Sequence, residues 1–556
     1  RIDPGADPVP ITPEPPVAAG LRYADGRLTP DGQWIVCVRE SHLADGEARN
    51  EIVAVQPQGS GEPRILATGR DFYAAPRPSP EGKSIAWLEW DHPRMPWDGT
   101  ELWLGDFSNT SSLDHPRKLA GGPTESIFQP EWSPTGTLHF VSDRTGWWNL
   151  YRWAGDRADA LLPMEAEFGS PAWSFGYTHY AILPDGRIAA MYSKDGLDYL
   201  GWMPPEGREW APIDTGLTSF SPHGLHFETV SGRLIIVGGA PDRPPSVYAL
   251  DIETGSLEIL STLESNLPDP SYFSHPRPII FPTTGGQIAH ALYYPPRNGD
   301  HQAPIGTLPP LIVISHGGPT SSTTSEFYLP RQFWTSRGFA VVDVNYRGST
   351  GYGRPYRESL YGTWGVYDVE DCIAAAQYLV DQGKADPERL IIRGGSAGGY
   401  TTLCALTFHD EFAAGASYYG VADLETLARD THKFESRYLD SLIGPYPEAV
   451  ELYQRRSPIH FAGQLACPII LFQGLEDQVV PPAQAEIMVE ALQSKGLPHA
   501  YLAFPGEGHG FRQADNVRRA LEAELYFYSR IFGIDLPDQP DQPDQPEPVE
   551  IENLPA

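Results

Sequence analysis

The sequence predicts two domains, an all-β propeller followed by a doubly wound, mostly parallel α/β sheet. Three observations carry that prediction. A turn phrase closing in glycine recurs through the first half, at Gly32, Gly82, Gly136, Gly186 and Gly232. From about residue 276, apolar strand-like runs alternate with helical stretches. At 556 residues the chain is too long for one hydrophobic core.

The repeat comes first. The phrases LTPDG, PSPEG, WSPTG and ILPDG, with a weaker copy in VSG, each run into a strand-like segment: QWIVCV, KSIAWLEW, TLHFVS, RIAAMYS and RLIIVGG. A period of ~50 residues with several short strands per unit is the pattern of a propeller. A sandwich does not repeat one turn phrase at this spacing. Residues 1–275 are therefore expected to be the β-propeller.

The second half changes period. LPPLIVISHGG, FAVVDVNYRGS, RLIIRGGS, CPIILFQG and HAYLAF are apolar enough for strands buried on both faces. FYLPRQFWTSRG, VEDCIAAAQYLVDQG and AQAEIMVEALQSKG read as the crossover helices between them. This domain is expected over 276–535, entered through the proline-rich LPDPSYFSHPRP. Residues 536–556, containing PDQPDQPDQPEPVE, are acidic and apolar-poor, so a disordered tail is expected there.

Bulk composition limits the function. Lys and Arg total 40 against 72 Asp and Glu, a net charge of −32, which argues against nucleic acid or an anionic membrane as partner. No apolar run approaches the ~18 residues of a membrane span. The opening RIDPGADPVPITPEPP has neither the basic nor the apolar region of a secretion signal. Cys37, Cys372, Cys404 and Cys467 form no C-x-x-C pair and are expected as buried thiols, which fits a reducing, cytoplasmic setting. No H-E-x-x-H, P-loop or strand-borne G-x-G-x-x-G is present, so no metal or nucleotide cofactor is implied.

The chemistry gathers around GGSAGG, 394–399. A strand, a sharp turn and a helix would put Ser396 at an apex, with glycines where side chains would collide. Alone the motif is weak, since a chain this long and glycine-rich yields a chance G-x-S-x-G roughly one time in three. Its partners strengthen it. Asp477 follows the strand CPIILFQG and His509 follows HAYLAF. The chain order Ser, Asp, His, each at a strand end, is that of an α/β-hydrolase. His509 would take and return the Ser396 proton while Asp477 holds its tautomer. The oxyanion hole is expected from the amide of Ala397 and that of Gly317 in HGGP, 316–319.

HGGP, NYRGSTGYG, WGVYDVEDC, GGSAGGY, GLEDQVVP and GEGHGF stand in the order found in serine peptidases of the prolyl oligopeptidase family, which the chain resembles over 276–535. HGGP makes it most similar to the acylaminoacyl-peptidase and dipeptidyl-aminopeptidase-like branch. Other branches carry an oxyanion-hole tyrosine where this chain has His316. The resemblance implies hydrolysis of short peptides or aminoacyl amides, with the propeller excluding folded proteins. It implies that Tyr419 and Val480 line the pocket for the residue before the scissile bond. Acidic or polar residues of propeller loops are expected to anchor the substrate's amino terminus; Glu89 and Asp91 are candidates, set against the favoured reading that they are solvated loop charges. The family's propeller usually has seven blades. The five to six that fit here, with Arg1 in place of Met, predict an N-terminal truncation and an incomplete propeller. Two alternatives stay open: a carboxylesterase or lipase-like hydrolase, and a non-catalytic binding scaffold. A homo-oligomer is compatible with each.

Overall fold

The structure is a computed structural model, and it describes residues 7–42, 46–59, 61–108, 112–262, 266–536 and 548–554. The chain divides into two compact units. The first is Arg1–Gly239, Pro245–Leu263 and Gly351–Arg354; the second is Ala240–Pro244, Glu264–Thr350 and Pro355–Ala556.

The first unit is all β. Its strands form five four-stranded antiparallel sheets over 21–68, 72–121, 127–160, 180–212 and 219–262, each with its strands in chain order. The repeated glycines fall in the first hairpin of each sheet, with φ of 69°, 68°, 82°, 89° and 71° at Gly32, Gly82, Gly136, Gly186 and Gly232. That left-handed backbone is why glycine recurs there. In three of these turns the hydroxyl ahead of the proline closes the loop. Thr29, Ser79 and Ser133 accept the amides of Trp34, Ser84 and Thr137 at 3.1, 3.2 and 3.0 Å.

Neighbouring sheets pack through one apolar layer after another. Val36, Ile52 and Leu66 meet Tyr73, Ile85 and Trp87. Leu88 and Leu102 meet Leu138 and Phe140. Met191 and Leu200 meet Leu225 and Ile236. Between the third and fourth sheets the link is polar, with the Gln129 amide donating to the Tyr180 carbonyl at 2.7 Å. Buried Arg77 ties the first three sheets together, donating to Asp25 and Glu131 at 3.0 Å each.

The second unit is one eight-stranded sheet. Its strands are β1 (Arg277–Pro282), β2 (Ile288–Tyr294), β3 (Leu311–Ser315), β4 (Ala340–Asn345), β5 (Leu390–Gly395), β6 (Ala414–Tyr418), β7 (Ile469–Gly474) and β8 (His499–Phe504), in the order β1-β2-β4-β3-β5-β6-β7-β8. β1, β2 and β4 pair antiparallel, and all later pairings are parallel. Every residue of β4 and β7 is buried, including the polar Asp343, Asn345 and Gln473 among their mainly apolar residues. Helices α1 (Leu329–Thr335), α2 (Tyr367–Asp381), α3 (Ala397–Phe408), α4 (Pro482–Lys495) and α5 (Ala514–Phe532) cover it. This is the α/β-hydrolase architecture.

α5 buries Ala520, Ala523, Phe527 and Tyr528, spaced as one helix face, against Ile391, Ala416, Ile470 and Leu502. Glu524 interrupts that stripe, fully buried. It pairs with Arg393 of β5 at 3.1 Å and accepts from the hydroxyls of Tyr418 at 2.6 Å and Tyr528 at 2.8 Å. Burial pushes the Glu524 carboxyl up while Arg393 pulls it back. Removing one partner strands the other charge in the core, so Glu524→Ala is expected to cost about 3–5 kcal/mol, read from the denaturant midpoint. Substituting both Glu524 and Arg393 by apolar residues should cost less than Glu524→Ala alone.

One expectation needs correction. The tail was expected to be disordered over 536–556. Residues 537–547 lie outside the described residues, but 548–554 pack onto the sheet. Val549 is buried in the α5 cluster, and Glu552 bridges to His499 at the start of β8. Val549 and Ile551 are apolar enough to dock; counted with the PDQ repeats they were averaged away. Among the described residues no helix is long and apolar enough to cross a membrane. All four cysteines are free, and burial pushes the thiols of Cys37 and Cys467 up to about 12.

Candidate active site

The turn between β5 and α3 holds Ser396 at φ 56° and ψ −120°, a conformation that a side chain rarely adopts. Two hydrogen bonds hold it there. The Ser396 amide donates to the Tyr418 carbonyl, and the Tyr400 amide donates to the Ser396 carbonyl, each at 3.0 Å. The elbow is sharp because the backbones nearly touch. A Cβ at Gly398 would overlap the Ser315 carbonyl of β3, and one at Gly394 would overlap the Gly398 carbonyl. The apex then lifts the Ser396 hydroxyl clear of the sheet.

Asp477 and His509 stand on the loops after β7 and β8. The structure brings both to Ser396. His509 Nε2 lies 2.8 Å from Ser396 Oγ, and His509 Nδ1 lies 2.8 Å from Asp477 Oδ2. With the proton on Nδ1, Nε2 is left to accept the serine proton. Asp477 is buried and well held. Its Oδ1 accepts the amides of Val479 and Val480 at 2.9 Å each, so only Oδ2 is left for the histidine.

The two expected donors flank the serine. The Ala397 amide opens α3 and so has no acceptor one turn back within the helix. Gly317 lies against Gly395 and the Ser396 side chain. His316 is committed elsewhere: its Nε2 is 2.7 Å from the Ser349 hydroxyl, its Nδ1 2.8 Å from the Gly317 carbonyl, and it stacks on Tyr346 at 4.3 Å. It therefore braces the HGGP loop.

Tyr419 takes a positive φ of 39°, and its ring lies 5.0 Å from that of His509 and 5.4 Å from Phe511. Burial pushes its phenol up to about 12. Val480 is only 1% exposed, and its backbone serves the acid loop at both ends. Its amide holds Asp477, and its carbonyl accepts from Gln473 Nε2 at 2.9 Å.

Glu89 and Asp91 are tied up within the second sheet. Arg70 donates to Glu89 at 3.0 Å and to Asp91 at 2.6 Å, and Trp87 Nε1 donates to Glu89 at 2.8 Å. Their charges are already compensated, which weakens them as anchors for an incoming cation. Gln473, which holds the acid loop, is absent from the residues singled out in the sequence. Gln473 had a visible signal, a lone amide ending the apolar run IILFQ.

A family model described as the prolyl oligopeptidase family matches residues 325–535. Dipeptidyl aminopeptidase BIII of Pseudoxanthomonas mexicana is 35% identical over 225 residues, 39% of this chain and 32% of that protein. The acylamino-acid-releasing enzyme of Arabidopsis thaliana is 31% identical over 215 residues, 37% of this chain and 28% of that one. These matches thus span about a third of the length of the curated relatives. Solved structures reach further. A puromycin-hydrolyzing peptidase of Mycobacterium tuberculosis aligns at 46% identity over 96% of this chain and 83% of its own, with a TM-score of 0.92. A puromycin hydrolase aligns at 42% identity over 96% and 82%, with a TM-score of 0.90. Likeness at that level runs through almost all of this chain, and the chain belongs to the prolyl oligopeptidase family.

Proposed function

We propose that this chain is a serine peptidase that hydrolyses short peptides or aminoacyl amides near the amino terminus through an acyl-enzyme. The observation that carries the reading is His509 standing at 2.8 Å from both Ser396 Oγ and Asp477 Oδ2.

The chemistry follows from that contact. Ser396 Oγ attacks the scissile carbonyl as its proton passes to His509 Nε2. The carbonyl π pair moves onto oxygen, and the amides of Gly317 and Ala397 donate to the resulting oxyanion. The C–N bond then breaks as His509 returns the proton to the leaving amine. Water deprotonated by His509 attacks the ester and releases the acid and Ser396. Asp477 stabilises the imidazolium in both halves, braced by Val479 and Val480. Tyr419 borders the residue before the scissile bond, and Val480 supports that wall through the acid loop.

We read the five sheets of the first unit as propeller blades, because each is a four-stranded meander on the same glycine turn. Size selection of substrates would be their task. Names among the relatives fit this chemistry: puromycin is itself an aminoacyl amide with a free α-amino group, and a puromycin hydrolase has been solved complexed with PGG.

Esterase action is the second reading, since a triad alone does not separate esters from amides. The test is turnover of aminoacyl-, dipeptidyl- and N-acetylaminoacyl-p-nitroanilides beside a p-nitrophenyl ester. Amide turnover is expected, and turnover of the ester alone would overturn the peptidase reading.

A further inference from the structure

The Gly317 amide shares one planar trans peptide with the His316 carbonyl, so fixing that carbonyl fixes where the amide points. The amide runs close to the nucleophile. A Cβ at Gly317 would lie 3.3 Å from the Gly395 carbonyl oxygen and 3.6 Å from Ser396 Cβ. Neither Gly317 nor Gly318 has a side chain to set the plane, and Gly318 takes a φ of 121°. A backbone this free keeps an amide aimed at an oxyanion only when neighbouring groups hold it.

Two hydroxyls of the adjacent loop do so. β3 and β4 pair in parallel, so the HGGP loop after one and the turn Tyr346–Ser349 after the other emerge side by side. Tyr346 and Ser349 are both fully buried. The Tyr346 hydroxyl lies 3.2 Å from the His316 carbonyl and 3.2 Å from that of Pro319, so its proton serves both ends of HGGP. A second grip runs through the His316 ring. The Gly317 carbonyl can only accept, so His316 Nδ1, 2.8 Å away, carries the proton. Nε2 is then an acceptor, and the Ser349 hydroxyl donates to it at 2.7 Å. Burial lowers the pKa of the ring, which favours this neutral form. The Tyr346 oxygen also lies 3.2 Å from Nδ1, and its ring stacks on that of His316. The peptides on both sides of Gly317 are thus anchored, one by Tyr346 and the other by Ser349 acting through His316.

We propose that Tyr346 and Ser349 are positioning residues of the oxyanion hole, which aim the Gly317 amide through the carbonyl and the ring of His316. The proposal rests on the reading of Ser396 as nucleophile and Gly317 as donor. It gives the NYRGS segment a task in the reaction without contact with the substrate.

The test compares the wild type with Tyr346→Phe, which keeps the stacked ring, and Ser349→Ala, each checked for folding by thermal unfolding. In both variants kcat/KM on p-nitrophenyl acetate and the rate of fluorophosphonate labelling at Ser396 are expected to fall by about 10- to 100-fold, because both reactions place charge on an oxygen in the hole. Two inhibitors separate aim from damage to the pocket. Alaninal adds to Ser396 and forms an oxyanion, whereas alaninamide binds without one. The inhibition constant of alaninal should rise with the loss in kcat/KM, and that of alaninamide should stay within twofold. Equal weakening of the two inhibitors, or a loss in kcat/KM under twofold in both variants, would overturn the proposal. A double substitution tests the route. In a His316→Phe background Ser349→Ala should cost less than twofold further, and a full second loss would show that Ser349 does not act through His316. Labelling of the wild type at Ser396 with no loss in either variant sinks the positioning role alone. Absence of labelling in the wild type sinks the nucleophile on which it rests.

Discussion

Ser396→Ala is expected to lower kcat/KM by about 10⁴-fold or more while leaving the fold intact. Both halves of that statement follow from the elbow. The Ser396 hydroxyl stands at the apex to form the ester, with His509 Nε2 at 2.8 Å to take its proton. The backbone that creates the apex does not depend on the hydroxyl. The positive φ is held by the Ser396 amide on Tyr418 and the Tyr400 amide on Ser396, and an alanine keeps both. Tight packing at Gly394 and Gly398 is likewise untouched. Only the bond from Oγ to His509 is lost, worth about 1 kcal/mol. Thermal unfolding beside progress curves checks both halves, and full activity in this variant would remove Ser396 from the mechanism.

Asp477→Asn is the second large effect, expected at about 10³- to 10⁴-fold in kcat with little change in KM. An asparagine fits the volume but not the hydrogen bonds. Oδ1 must accept two amides, from Val479 and Val480, while Oδ2 must accept from His509 Nδ1. If the amide oxygen keeps the two valine donors, the NH₂ faces His509 and forces the proton onto Nε2. The serine proton then has no acceptor. If the side chain flips, the NH₂ meets two donors and the loop is driven apart. Stopped assays at matched enzyme concentration read the loss. Retention of a tenth of the activity or more would show that the carboxylate is not orienting His509.

Much of this was legible in the chain. The five glycine turns were readable because a left-handed φ at a hairpin admits few residues, so the physical demand leaves a periodic mark. Ser396, Asp477 and His509 were readable because parallel strands deliver loops to one edge, which makes chain order a proxy for position. The bracing groups left fainter marks. Glu524 sits within an otherwise apolar helical stripe, and only its contact with Arg393 and two tyrosines explains a charge there. Gln473 reads as an ordinary strand end until its amide is seen on the Val480 carbonyl and near Asp477. That the Val480 amide holds Asp477 likewise left no mark in the sequence. Glu89 and Asp91 looked free because sequence does not reveal that Arg70 reaches both. The end of the chain was misread for the same reason. Composition over a window hides two apolar residues, Val549 and Ile551, that find a surface only in three dimensions.

The central claim is that Ser396, activated by His509, becomes covalently acylated. The most direct measurement is reaction of the folded chain with a fluorophosphonate, followed by intact mass and peptide mapping. The account predicts one adduct per chain, on the peptide carrying Ser396, and none in Ser396→Ala. An adduct at any other serine, or a folded chain that turns over amide substrate yet takes up no label, would contradict it.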